Sequence, residues 1–287
     1  MKARRFVWAI VTLVAPALCR ADLYFNDGLA HTLDHVVNET VLVDDSPSGA
    51  PTTLNLVQGG RLSFGLLVCG SSSANVAGGR VEYGIFARDS STVLMTNGGT
   101  SPQMHAYDHS TISVNGEYSG GGQLIAFGYG HVDLIEGSVT YLQAADHGSA
   151  NMSGGWVVDV IAAGDYGQVT VSGARQALDL DKVLAASVNP LPGEPTACVT
   201  LYGSDFYVSG SYFGYGELAG AGQLSGLLAD GMQIISPFEV NGAGRMILAP
   251  EPTPQPVPEP VPVPGAALLG ALGLSFAGWR LRRRRAL

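Results

Sequence analysis

Four aspartates recur at nearly the same place in successive glycine-led lines of the chain: Asp89, Asp108, Asp146 and Asp165. Carboxylates repeated at one register could hold a hard cation, which takes about six to eight oxygen ligands. Asp beside Ser and Gly is also ordinary turn chemistry, repeated because the turn is repeated, and this is the expected role here. His105, His109, His131 and His147 fall on the same lines. They have no HExxH pattern and no GxSxG elbow accompanies them, so they are expected as solvent-facing turn residues. Tyr83, Phe86, Tyr107, Tyr129, Tyr141 and Trp156 could stack on sugar rings if they shared a face. A polysaccharide lyase or hydrolase needs acid, base and cation in one cleft, with a basic group to neutralise an acidic sugar. The repeats offer only Arg80, Arg88 and Arg175 in a strongly negative field. No catalytic residue, metal site or cofactor is therefore expected. Cys19 falls in a leader, and Cys69 and Cys198 could bridge or remain thiols, since no CxxC spacing exists.

These residues sit on a repeat. Gly60 to Gly79 is nineteen residues and Gly79 to Gly99 twenty, while Gly137, Gly155 and Gly173 follow at eighteen apiece. Each line reads aliphatic or aromatic, Ala, an Asp-containing polar pair, Ser or Gly, then a β-branched or apolar residue. The copies begin at Ile85, His105, Ile125, Gln143 and Ile161, with a leading copy at Leu66. A unit of this length cannot close a core, but coiled once per repeat it stacks strand on strand at ~4.8 Å. The expected fold is all-β: a single-stranded right-handed parallel β-helix of about six 18–20-residue coils, with β caps at both ends and a C-terminal transmembrane helix. Residues 22–58 are expected to cap the first coil, 59–186 to form the repeats and 187–250 a C-terminal β segment. An up-and-down β-sandwich is the competing fold, but it would not require so regular a period.

Composition agrees with a turn-dense β body, since charged residues are 14% and glycines number 39. Nine of the fifteen basic residues lie near the ends, and residues 22–260 carry six basic side chains against all twenty-four carboxylates. Such a field repels phosphate backbones and disfavours nucleic-acid binding.

The ends read as addresses. Lys2, Arg4 and Arg5 precede an apolar run from Phe6 to Leu18, a secretory signal peptide over 1–21 handled by the Sec translocon, with cleavage between Ala21 and Asp22. Residues 251–260 form a proline-rich tether. Residues 261–279 carry no charge and suffice to cross a ~30 Å hydrocarbon core. Arg280, Arg282, Arg283, Arg284 and Arg285, within the tail 280–287, would stop transfer on the cytoplasmic side.

That order closely resembles the PEP-CTERM sorting signal of Gram-negative bacteria, with Val257, Pro258, Glu259 and Pro260 as its motif. The resemblance implies recognition by an exosortase, a membrane-embedded cysteine peptidase, transient membrane anchoring, and release or transfer to the cell surface or matrix. Such proteins are associated with exopolysaccharide and biofilm. The expectation is an exported structural protein without catalytic activity. The alternatives are a β-helix carbohydrate-active enzyme and a glycan-binding surface protein.

Overall fold

Alternation dictates the strands. In Val41-Leu42-Val43 or Thr53-Leu54-Asn55-Leu56, every second side chain points inward and the intervening ones outward. In the computed structural model, which describes residues 23–99, 103–116, 118–119, 122–187 and 194–251, these short strands pair in parallel with the coil before and the coil after. On the first face, Leu23, Val41, Leu66, Ile85, Met104, Leu124, Leu142, Ile161 and Val183 stand in one column. The steps along it are 18, 25, 19, 19, 20, 18, 19 and 22 residues, so the chain is a parallel β-solenoid of eight coils of roughly 20 residues. Eight rises at ~4.8 Å make the coiled part about 38 Å long.

The second face has its own column: Leu54, Ala74, Val93, Ile112, Val132, Ala150, Val169, Val199 and Met246. Both columns, from Val41 and from Leu54 onward, are buried and merge into one core. Burying each Leu or Ile contributes about 1.5–3 kcal/mol, and neighbouring coils supply the lid that no coil has by itself. A shorter third face joins Val37 to Leu62 and Leu62 to Val81.

At the corner before the second face the chain uses two devices. Ser91 and Ser110 donate their Oγ to Val68 O (3.0 Å) and Ala87 O (2.9 Å) of the previous coil. Gly130, Gly148 and Gly167 hold the same corner where the backbones approach more closely: a Cβ on Gly148 would lie 2.6 Å from Ala126 O.

The expected boundaries shift. Residues 22–58 are not a cap over its described part: Leu23–Phe25 and Val41–Val43 are already rungs of the first face, and Ala30–Leu33 pairs with Thr53–Val57 on the second. This segment lacks the Ala–Asp motif and its steps are irregular, yet Leu54 and Leu56 fill the core as the later coils do. The six expected coils are therefore eight. Residues 187–250 both extend the solenoid and close it. Cys198–Val208 and Arg245–Ala249 continue the second face. Gly220–Leu228 and Gly216–Leu218 add antiparallel strands over the last edges, which covers otherwise unpaired backbone. No helix long and apolar enough to cross a membrane occurs among the described residues. The expected signal peptide with Ala21 and Asp22, the expected Val257–Pro260 sorting motif, the expected membrane span 261–279 and the arginine tail lie outside the described residues.

Candidate functional site

The turn between the two faces carries most of the chemistry-bearing side chains. Asp89, Asp108, Asp146 and Asp165 each occupy its left-handed position, with φ of 58°, 57°, 55° and 53°. Asp and Asn tolerate this region better than other residues that carry a Cβ. The carboxylates also link coils: Asp89 Oδ2 accepts the Gly70 N–H at 3.0 Å and Asp108 Oδ2 the Asp89 N–H at 3.3 Å. Gly128 takes the same position between Asp108 and Asp146, so the carboxylate series is interrupted. Among the described residues no group of three or more His, Cys, Asp or Glu converges as a metal site would require.

One residue further on, the turn becomes aromatic. His109, Tyr129, His147 and Tyr166 stack ring on ring, with centroids 5.2, 4.9 and 4.8 Å apart and interplanar angles of 16°, 24° and 19°. The separation follows from the coil spacing. The inner rings Tyr129 and His147 have their faces covered by their neighbours, so they present edges to solvent and not sugar-binding planes. His109 and His147 are the turn residues expected from sequence. His105 and His131 are not, because both lie in strands. His105 is wedged edge-on among Phe86, Tyr107 and Phe127, and burial pushes its pKa down to about 4. Of the expected sugar-stacking aromatics, Phe86 and Tyr107 meet around His105 and Tyr129 belongs to the stack. Trp156 lines a cavity of about 140 Å³ with Gly137, Ser138, Arg175 and Gln176. These four form no common platform, and Tyr83 and Tyr141 are exposed.

The constellation nearest to catalytic geometry is one that sequence reasoning missed. His131 and Asp133 lie two apart on one strand and so share its outer face, while Ser149 pairs with His131 across one coil. His131 Nδ1 meets Ser149 Oγ at 2.7 Å and Nε2 meets Asp133 Oδ1 at 2.9 Å. Ser113 Oγ donates to Asp133 Oδ2 at 3.1 Å. The hydrogen bond to Asp133 raises the His131 pKa, and the same bond lowers that of Asp133. Nucleophile, base and orienting carboxylate are thus in line. The Ser149 backbone is not available as an oxyanion donor: it gives its N–H to Gly130 O at 2.9 Å, and its strand is paired in parallel on both sides. The cluster sits on an open ladder with its polar groups satisfying one another.

Sequence reasoning also missed the aromatic hairpin of the closing segment, where Tyr207, Tyr212, Phe213 and Tyr215 are all exposed. Its signal was the density of rings from Phe206 to Tyr215 outside the repeat. Cys69 and Cys198 are not bridged by a disulfide and lie on coils far apart in the stack. No protein-family model matches the chain, and no curated protein or solved structure matches it either.

Proposed function

We propose that the chain is an exported structural protein of the cell surface or extracellular matrix, delivered by an exosortase-type peptidase after Sec export and associated with exopolysaccharide. The observation that carries this reading is the repetition of one inward-facing core pattern from coil to coil. Eight turns repeat one core pattern, and the side chains most able to do chemistry are spent on turn geometry, ring stacking and lateral hydrogen bonds. A rod needs only that regularity, whereas an enzyme needs a concave site with converging acid, base and oxyanion donors. The tail supplies the address: Val257, Pro258, Glu259 and Pro260, an uncharged stretch over 261–279 and the arginines Arg280 and Arg282 to Arg285. We read the coil as right-handed, the hand that parallel crossovers take.

Mass spectrometry of both termini of protein recovered from the native envelope and culture medium tests the proposal. The expected product begins near Asp22 and ends near the Val257–Pro260 motif. An intact arginine tail persisting in the membrane fraction would make the segment an ordinary anchor and remove the sorting reading.

A further inference from the structure

The aromatic hairpin of the closing segment has a shape and a charge that define what it can bind. The strand Cys198–Val208 leaves the solenoid, turns at Ser209 and Gly210 with φ of 49° and 82°, and returns through Ser211–Tyr212. Two successive positive φ values make the tight turn whose twist matches paired strands. Phe206 is fully buried and packs over Gly226, where a Cβ would lie 2.4 Å from its ring. The backbone carbonyl of Phe206 also accepts the Phe213 N–H at 2.8 Å. The hairpin is therefore pinned at its base while four rings face outward: Tyr207, Tyr212, Phe213 and Tyr215 are 42%, 66%, 40% and 51% exposed. Tyr207 and Tyr212 stand at 75° with centroids 5.6 Å apart, forming a corner with one ring as floor and the other as wall.

Deepening the proposed function, and resting on its placement of the body outside the cell, we infer that this hairpin is a binding site for a neutral polysaccharide, which stacks a pyranose ring in the Tyr207–Tyr212 corner. An aromatic face is electron-rich and meets the polarised C–H face of a sugar, while the phenol hydroxyls can bond to its rim. Charge decides the class of glycan. From Gly203 to Gly216 the only charged side chain is Asp205, and the nearby Arg245 is neutralised by Glu217 through two bonds of 3.0 Å. A uronic-acid polymer, a phosphate backbone or an anionic leaflet would find no cation from Gly203 to Gly216. Size argues against a protein partner. The four rings expose about two whole rings' worth of surface, ~400 Å², against roughly 800 Å² per side in a standard protein interface. A few sugar units fit that area.

The protein as recovered from its native fraction is tested for retention on swollen cellulose, curdlan and amylose as neutral polymers and alginate as a polyanion. Retention on at least one neutral polymer is expected, with no retention on alginate. Tyr207→Ala and Tyr212→Ala should each weaken binding at least tenfold, Tyr212→Phe less than threefold, and Tyr215→Ala by an intermediate amount, with circular dichroism unchanged. The inference is overturned by failure to bind any neutral polymer, by preference for alginate, or by alanine variants that bind as tightly as the wild type. It is equally overturned if Tyr212→Ala instead dissolves an oligomer in light scattering or abolishes binding to phosphatidylglycerol vesicles. None of these results alters the terminal masses, so the sorting proposal stands or falls separately.

Discussion

Replacing Asp108 separates the two reasons a carboxylate can recur in a turn. Its φ of 57° is a region that costs an ordinary L-residue about 1–2 kcal/mol, and which Asn and Asp occupy more readily. Its Oδ2 accepts the Asp89 N–H at 3.3 Å in an exposed setting, a bond worth about 0.5 kcal/mol at the low end of the usual range. Asp108→Ala loses both and should destabilise by about 1.5–2.5 kcal/mol, a fall in Tm of roughly 3–10 °C for a body of this size. Asp108→Asn keeps the backbone preference and an acceptor oxygen, so it should fall within about 0.5 kcal/mol of the wild type. Asp108→Gly frees the backbone but loses the acceptor and adds unfolded-state entropy, placing it about 0.5–1 kcal/mol down. Urea and thermal unfolding of the four proteins, each with and without millimolar calcium, give the order Asn, Gly, Ala with no calcium dependence. The reasoning is refuted if Asp108→Asn is as damaging as Asp108→Ala, or if calcium raises the Tm of the wild type but not of Asp108→Asn. The charge, and not the turn, would then be what the register selects.

His105 should make stability fall with acid. Its folded pKa of about 4 lies below the ordinary 6.5, so the unfolded chain takes the proton first. The contribution is complete above about pH 6.5 and is lost as pH falls towards 4, by up to about 3 kcal/mol. His105→Phe, among Phe86, Tyr107 and Phe127, should remove most of that loss in urea midpoints compared between pH 7 and 4, and an unchanged pH slope would count against the burial argument. The ion pair of His131 and Asp133 works in a different window: its raised histidine stabilises below about 6.5 and its lowered aspartate above about 4, so the pair contributes most between them. Ser149, although hydrogen-bonded to His131, should stay unlabelled by a fluorophosphonate probe, because its own N–H is held by Gly130 O and is not free to stabilise an oxyanion. Labelling that Ser149→Ala and His131→Ala both abolish would reinstate the enzyme reading.

What could be read from sequence follows from which constraints repeat. Ala87, Ala106, Ala126, Ala144 and Ala163 recur because the inward position beside a tight corner favours a small side chain, so the period announces the solenoid. The turn aspartates are legible for the same reason: one left-handed residue per coil is a local demand. The first coils escaped because Phe25 and Val43 stand where that alanine would be and the step from Val41 to Leu66 is 25 residues, which hides the rung although its inward pattern is intact. The Ser149, His131 and Asp133 contact needs two numbers at once, the strand period of two and the coil step of 18 from His131 to Ser149. Reading the histidine as a turn residue removed the first of them. The aromatic hairpin has no period at all. It belongs to antiparallel strands that close an edge, where pairing is set by one tight turn and by Phe206 against Gly226. A repeat thus makes the scaffold legible by averaging over coils, while a binding surface on the cap occurs once and must be argued from its own residues. The parts of this chain that differ from the consensus coil are accordingly the places where specificity has to be sought.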